Sequence, residues 1–546
     1  MNCKFELRYK IDGLTKTVSE NENDDLKLDF SDDGKIRKVT LTAKRDLVLS
    51  LYGESENDFP VKETKYDDPK GDLYFMNGYQ SWTDTREYYG DARERNVKNL
   101  PSRLVKVFAF DRYGDSTFYG YDKKLLHGYD VFYVKGKHQL FILNLNVKNA
   151  YLIIEVHRKT GAISYLSDID GKEMKEGETF VVAEYAYSPE IEDYRLFDEF
   201  FPKKKVDKIF GYTSWYNYYQ NVNESILLRD LDALDDRFNL FQIDDGYETF
   251  VGDWLDVDKN KFPNGLKPIV DKIHERGFKA GIWLAPFVAE EESKLFKENK
   301  SWFKKFPDGE YVKCGSNWSG FYALDLENDE VRKYIRKCLE TYSDMGFDFF
   351  KLDFLYGANL PPYEGKTRSQ VAEEAYAFLR EVLKDKLILG CGATLFNGAN
   401  KFDYMRIGPD VSLKFDDVWY MRFMHRERIS TKVTLQNTIY RSFMNGRLFG
   451  NDPDVFLLRD DNIDLSNTQK LSLITLNALF GSVMMTSDNI ADYDEKKRDI
   501  LSGALDLFHN AKVESFARCN DKITVNYSIN GKHEKIIYDT ERGILL

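Results

Sequence analysis

Three short acidic motifs end apolar, strand-like runs of this chain: Gln242-Ile-Asp244-Asp245-Gly-Tyr, Phe350-Lys351-Leu-Asp353 and Met405-Arg406-Ile-Gly-Pro-Asp410. A period of two puts Lys351 and Asp353 on one face of their strand. An ammonium there would keep the acid ionised and suited to nucleophilic attack, although ion pairs of purely structural use have the same signature. Asp410 follows Arg406 across a turn forced by Gly408-Pro409, and reads as a second, less tightly paired carboxyl able to hold its proton. One ionised and one protonated carboxyl facing each other are the working parts of glycosidic-bond hydrolysis. Asp244 and Asp245 cannot both point into a strand wall, so at least one faces the strand end and accepts hydrogen bonds. Asp-Gly is equally turn chemistry.

Aromatic residues crowd the same strand ends. Trp215-Tyr216 follow the first run, Trp254 follows the second, and Trp283 lies on the third with Pro286 beyond. Flat apolar faces beside carboxylates suit sugar rings, and the same residues would also serve as core. Cys391 follows the fifth run, but no histidine is patterned with it for nucleophilic use. GxGxxG, GxxxxGK[ST] and Gly-x-Ser-x-Gly motifs are absent. The seven histidines form no HxxH or HExxH pair, so no metal site is signalled.

Eight strand-like runs carry these motifs: Ile209–Ser214, Leu240–Ile243, Ala280–Leu284, Phe347–Leu352, Leu387–Gly390, Tyr404–Ile407, a weaker one at Arg447–Phe449, and Ser482–Thr486. Helical stretches separate them. Val331, Tyr334, Ile335, Cys338, Leu339 and Tyr342 make one continuous apolar face, and Gly346 is placed to end that helix. Val371, Ala375, Phe378, Leu379 and Val382 make another. Eight strand–helix units over about 290 residues have the size and rhythm of a (β/α)8 barrel, whose chemistry sits at the C-terminal ends of its strands.

Before residue 204 the pattern is period-two and turn-rich. Ile36–Ala43 and Gln139–Val147 read as strands with one buried face, and Tyr151–His157 with Ala162–Ser167 as a hairpin turning at Lys159–Gly161. Many such strands without helices indicate a β-sandwich. After Asp494 one short helix and strands at Ile523–Tyr527 and Glu534–Tyr538 predict a small β-domain. The expected fold is therefore multidomain α/β and β: a β-sandwich over residues 1–203, a (β/α)8 TIM barrel over 204–494, and an antiparallel β-domain over 495–546.

Composition agrees with this picture. The 546 residues carry 78 Lys+Arg against 91 Asp+Glu, a net charge of −13, which argues against nucleic acid as a partner. The N-terminal stretch has no apolar h-region, and the longest apolar stretch, Leu471–Thr486, is broken by Ser472, Asn477 and Gly481 and is too short to span a membrane. Five scattered cysteines fit a reducing compartment, so a cytoplasmic location is expected.

Taken together, Asn77-Gly-Tyr-Gln-Ser-Trp82, Gly211-Tyr-Thr-Ser-Trp215-Tyr216, Gln242–Tyr247, Gly252-Asp-Trp254, Gly281–Pro286, Lys351-Leu-Asp353, Cys391-Gly and Arg406–Asp410 resemble glycoside hydrolase family 36, the α-galactosidases. The resemblance runs in order across nearly the whole chain and implies an N-terminal β-supersandwich ahead of the barrel. It implies a retaining double displacement without metal or cofactor, with Asp353 as nucleophile and Asp410 as general acid/base. Asp244 and Asp245 would hold O4 and O6 of galactose, and Lys351 and Arg406 would hold O3 and O2. Trp82 would reach in from the N-terminal domain, with Tyr216, Trp254, Trp283 and Cys391 completing the binding wall. The partner implied is a small α-galactoside of the melibiose or raffinose type. Galactosyl transfer to another sugar, as in the raffinose-synthase relatives, α-N-acetylgalactosaminidase activity and non-catalytic galactoside binding are the competing readings. The segment Gly390–Phe396 and Lys351-Leu-Asp353 depart from the Cys-x-Ser-Gly-Gly and Lys-Trp-Asp of larger members and look like the compact bacterial branch. The family's common tetramer makes a homo-oligomer an expectation, although the long plant-type loops are missing.

Overall fold

The computed structural model describes residues 4–55, 62–63, 70–95, 97, 100–190, 194–416 and 426–546. Two antiparallel sheets make the N-terminal part. The first runs Leu14–Val18, Lys4–Ile11, Leu47–Ser55, Ile163–Asp168, Tyr151–His157, Leu125–Tyr129. The second runs Leu26–Asp32, Ile36–Ala43, Thr179–Ser188, His138–Asn144, Val131–Lys135, Leu73–Met76, Arg86–Tyr89. The expected hairpin is present, with Tyr151 opposite Asp168 and Val156 opposite Ile163.

Strand alternation explains how the layers stack. Leu7, Tyr9 and Ile11 of the first sheet share a core with Phe132, Val134, Leu140 and Ile142 of the second. The intervening residues of the second sheet, Val131, Tyr133, Phe141 and Leu143, point the opposite way into the core of the central region. The strand expected over Gln139–Val147 with one buried face thus buries both, and ends at Asn144. A sheet with apolar layers on both sides has no solvent face to keep polar, hence the unbroken run Leu140-Phe-Ile-Leu143.

The central region is a parallel sheet of β1 (Ile209–Thr213), β2 (Leu240–Ile243), β3 (Lys279–Leu284), β4 (Phe349–Leu352), β5 (Leu387–Gly390), β6 (Tyr404–Arg406), β7 (Gly450–Asp452, continued by Val455–Phe456) and β8 (Val483–Thr486). From one edge the order is the first half of β7, then β6, β5, β4, β3, β2, β1, β8 and the second half of β7. Both edges thus belong to one strand, broken at Pro453-Asp454, and the sheet curls back on itself. The seventh strand begins after the expected Arg447–Phe449, because that segment is spent on a turn in which Gly446 N–H donates to the Phe449 carbonyl at 2.8 Å.

Helices α1 (Glu224–Ala233), α2 (Lys267–Glu275), α3 (Asp329–Met345), α4 (Arg368–Leu383), α5 (Thr431–Tyr440), α6 (Asn467–Phe480) and α7 (Glu495–Asn510) alternate with the strands. In α3, Val331, Ile335, Cys338, Leu339 and Tyr342 are buried, Asn328 caps the start, and Gly346 closes the end at φ 112°. Thr367 with Gln370 and Ser466 with Gln469 form capping boxes for α4 and α6. Between β5 and β6 only the single turn Leu395–Gly398 fits, so this unit lacks a full helix. The helix expected after Asp494 spans 16 residues rather than a short piece. Four antiparallel strands, Ala511–Cys519, Lys522–Ile529, Lys532–Asp539 and Ile544–Leu545, end the chain. Among the described residues no helix is long and apolar enough to cross a membrane.

Candidate active site

The three acidic motifs converge at the C-terminal ends of β2, β4 and β6, around a cavity of about 230 Å³. Of the residues singled out from sequence, Trp82, Asp244, Asp245, Trp283, Lys351, Asp353 and Asp410 line it. Tyr216, Trp254, Cys391 and Arg406 are buried and stand outside the lining.

Asp353 sits one residue past β4, buried, with each carboxylate oxygen fixed. Trp283 Nε1–H donates to Oδ2 at 3.1 Å and the Phe354 backbone N–H to Oδ1 at 2.8 Å. Burial is the largest influence and pushes this carboxyl up; the Lys351 charge opposes it and the Asp410 charge adds to it. This corrects the expectation of a carboxyl lowered by a Lys351 partner. Lys351 Nζ instead bonds Asp244 Oδ2 at 2.9 Å. The long lysine side chain reaches across the sheet mouth to a carboxylate that is 2% exposed. Burial opposes the Lys351 charge, yet Asp244 outweighs it and the net shift is upward.

Asp244 is the hub of its side of the pocket. Besides Lys351, its Oδ2 accepts from Gln242 at 2.6 Å and from Thr213 at 3.1 Å, while Oδ1 accepts from Asp245 N–H at 3.0 Å. Asp245 accepts from Trp318 Nε1–H at 2.9 Å and from Gln220 Nε2 at 3.3 Å. Burial pushes up both Asp245 and its buried neighbour Glu248, the latter well above the carboxylate range with the Asp245 charge adding to it.

Opposite, Asp410 is more open, its side chain 35% exposed, and Arg406 Nη1 donates to Oδ1 at 2.8 Å. It is thus firmly ion-paired, where the sequence read as leaving it loosely paired. The same guanidinium meets Asp452 through Nε at 3.0 Å and Asp454 through Nη2 at 2.8 Å. Tyr216 turns away from the cavity and donates its hydroxyl to Asp454 Oδ2. Trp254 lies behind Trp283, ring centroids 5.7 Å apart and nearly edge-on.

Trp82 comes from the N-terminal part. Its Nε1–H donates to Cys391 Sγ at 3.4 Å, and its ring stands edge-on to Phe354 and Tyr356. Arg441, just past α5, clamps the loop before it by donating to the carbonyls of Gly78, Gln80 and Ser81 and to Asn77 Oδ1. Gly392 lets the tryptophan approach: at φ +60°, a Cβ there would lie 2.9 Å from Trp82 Cζ2.

Sequence reasoning left Trp318, Phe354, Glu248, Asp452 and Asp454 unassigned. Trp318 belongs to the long excursion between β3 and β4, which forms its own small sheet of Val288–Glu290, Lys313–Gly315 and Phe321–Ala323. Asp452 and Asp454 flank the break in β7, and Asn451-Asp-Pro-Asp454 next to a strand is the signal that marks them. Among the described residues no group of three or more His, Cys, Asp or Glu is disposed to hold a metal ion. What the pocket offers is a fixed, buried carboxyl, a second carboxyl at the rim, and aromatic walls around further acceptors, a surface suited to a polyhydroxylated ligand.

Comparisons with known proteins agree with this geometry. Residues 205–387 match the family model described as Melibiase. An α-galactosidase of Lactobacillus acidophilus is 29% identical over 209 residues, 35% of this chain and 27% of that protein. Alpha-galactosidase 1 of Pediococcus pentosaceus is 30% identical over 164 residues, 27% of this chain and 22% of that protein. The matched segments therefore span about a quarter of these relatives. In structure, the α-galactosidase of Thermus thermophilus in complex with p-nitrophenyl α-D-galactopyranoside aligns at a TM-score of 0.71 and 23% identity, covering 97% of this chain and 98% of that one. The glycoside hydrolase family 36 α-galactosidase of Geobacillus stearothermophilus aligns at 0.58 and 11%, covering 97% and 80%. Residues 205–387 are thus similar to the Melibiase family, and nearly the whole chain shares the fold of these α-galactosidases.

Proposed function

We propose that this protein is a retaining exo-α-galactosidase that releases terminal non-reducing α-D-galactosyl residues from small α-galactosides of the melibiose and raffinose type. The carrying observation is the pairing of roles in one pocket: Asp353, buried and oriented by Trp283 and Phe354, and Asp410, at the rim beside Arg406. Relatives named α-galactosidases and a T. thermophilus neighbour in complex with stachyose, at a TM-score of 0.69 and 24% identity, support the substrate class.

In the first step the Asp353 carboxylate attacks the anomeric carbon while Asp410 gives its proton to the departing glycosidic oxygen, leaving a galactosyl-enzyme ester. In the second, Asp410 takes a proton from water, whose oxygen bonds the anomeric carbon and releases Asp353. Asp244, Asp245 and Lys351 hold the sugar hydroxyls, whereas Arg406, expected to hold O2, stands outside the lining and acts through Asp410; a buried carboxylate left a hydrogen bond short by an epimer selects galactose over glucose. Trp82, Tyr216, Trp254, Trp283 and Cys391 shape or support the wall. No cofactor enters this scheme. The proposal includes a (β/α)8 barrel over residues 204–494 between a β-supersandwich (1–203) and a C-terminal β-domain (495–546). It also includes a cytoplasmic location, in keeping with the unpaired Cys314, Cys338, Cys391 and Cys519. A homo-oligomer rests on the family resemblance alone, and light scattering decides it.

The test is hydrolysis of p-nitrophenyl α-galactoside beside the α-glucoside and the α-N-acetylgalactosaminide by wild type and Asp353→Ala, with the product anomer followed by NMR. Release of α-galactose by wild type alone supports the reading. Inversion, or activity retained in a folded Asp353→Ala, overturns it.

A further inference from the structure

Arg406 is 1% exposed and touches three carboxylates, Asp410 at 2.8 Å, Asp452 at 3.0 Å and Asp454 at 2.8 Å. Only Asp410 reaches the cavity. Asp454 is placed with care: Pro453 breaks β7, Asp454 adopts φ +73°, and its Oδ2 accepts from Val411 N–H at 2.7 Å and from the Tyr216 hydroxyl. Asp452 Oδ1 in turn accepts from Asp454 N–H at 2.8 Å. A left-handed aspartate at a strand break, with no solvent to reward it, is a strained feature held in place by its surroundings.

The problem this arrangement answers is chemical. A carboxyl bonded to a fully charged arginine favours its anion, which is the wrong bias for a group that must protonate a leaving oxygen. We infer that Asp454 is a positioning residue for the acid–base step: together with Asp452 it neutralises Arg406, so that Asp410, though bonded to the same guanidinium, keeps a proton to deliver. This rests on the function proposed above. Arg406 stays charged throughout, and the Asp454 proton, if present, never leaves the cluster. The only proton transferred is the one on Asp410, lost to the leaving group and regained from water.

The groups facing Asp454 are Arg406 from β6, Asp410 beyond it, Asp452 from β7 and Tyr216 after β1. Those facing Asp410 are Arg406, Asp454, Asp353, Tyr216, Tyr219 and Cys391. Burial pushes Asp454 up to about 7 against the opposing Arg406 charge, and the Asp410 charge adds to the rise. Asp410, Asp452 and Asp454 thus share a single guanidinium.

The experiment is the pH dependence of kcat/KM on melibiose for wild type, Asp454→Asn, Asp454→Glu and Tyr216→Phe, with thermal melts to establish folding. Asp454→Asn leaves Arg406 less neutralised, so the alkaline limb moves to lower pH by about one unit, the small end of what a nearby charge does. Asp454→Glu restores it. Tyr216→Phe, which removes a hydrogen bond to the Asp454 anion, moves the limb the same way by less, and decides the matter if Asp454→Asn does not fold. A uniform loss at all pH values with the limb unmoved overturns the inference and makes Asp454 a packing residue. Wild type inactive on every α-galactoside overturns the proposed function, and this inference with it; an active wild type with an unmoved limb overturns the inference alone.

Discussion

Trp283→Phe isolates one hydrogen bond at Asp353, the carboxyl proposed as nucleophile. The indole Nε1–H meets Asp353 Oδ2 at 3.1 Å, and the remaining donors are the Phe354 N–H at 2.8 Å and the Cys391 thiol. A hydrogen bond to a charged group contributes about 1.5–3 kcal/mol, and at about 1.4 kcal/mol per pKa unit its loss raises Asp353 by about 1–2 units. Burial has already raised this carboxyl, so the change adds to an existing upward shift. Since Asp353, as the proposed nucleophile, must be ionised, the acid limb of kcat/KM moves to higher pH by about 1–2 units. Below the limb, kcat/KM falls by about 10- to 100-fold, while at high pH the deficit shrinks. The linked stability has a fixed sign: a carboxyl raised in the folded state stabilises most at low pH and loses that contribution as pH climbs from the unfolded value through the folded one. The variant should therefore show a steeper fall in denaturation midpoint across that interval. The assay is a pH series of initial rates on p-nitrophenyl α-galactoside, paired with urea melts at matched pH. An acid limb that stays in place, with kcat/KM within about twofold of wild type at every pH, refutes the assignment of Trp283 as the donor that stabilises the Asp353 anion.

Three further outcomes are expected. Asp410→Ala should lose far more activity on melibiose than on p-nitrophenyl α-galactoside, because a good leaving group needs little protonation; equal losses in steady-state rates count against its acid role. Gly392→Ala should cost about 1–3 kcal/mol, since it combines a left-handed backbone with a Cβ 2.9 Å from Trp82, and KM should rise as Trp82 is displaced, checked by thermal melts and steady-state kinetics. His127 is buried between Glu94 and Asp115, with Arg426 3.2 Å away; burial lowers its pKa but the two carboxylates outweigh that and raise it to about 9. Its stabilisation is therefore complete below the unfolded value near 6.5 and is lost as pH rises through 9, so the urea midpoint should decline over that window in wild type and not in His127→Gln.

Local periodicity made most of the frame legible. The stripe from Val331 to Tyr342 with Gly346 behind it, the hairpin at Tyr151–Ser167 and the acidic strand ends all depend on residues a few positions apart. What escaped depends on contacts between distant segments. Lys351 and Asp353 share a strand face as expected, yet which carboxylate the ammonium reaches is decided by Asp244 on β2. Tyr216 follows Trp215 directly, but Trp215 lines the cavity whereas Tyr216 is drawn to Asp454. Trp318 sits in an excursion whose own small sheet brings it back over the pocket, and no short-range pattern announces such a return. The seventh strand was blurred because a proline and a left-handed aspartate interrupt it, the same interruption that places Asp454.

The second N-terminal sheet carries apolar side chains on both faces, and this has a consequence during synthesis. Its last strand ends at Ser188, whereas the core that Tyr133, Phe141 and Leu143 join includes β8, which ends at Thr486. At about 5–20 residues per second, the intervening 300 or so residues take roughly 15–60 s to emerge. For that interval the nascent chain holds a folded half whose greasy underside faces the ribosome's surroundings, so its yield in cells should depend on holdase chaperones and on translation speed.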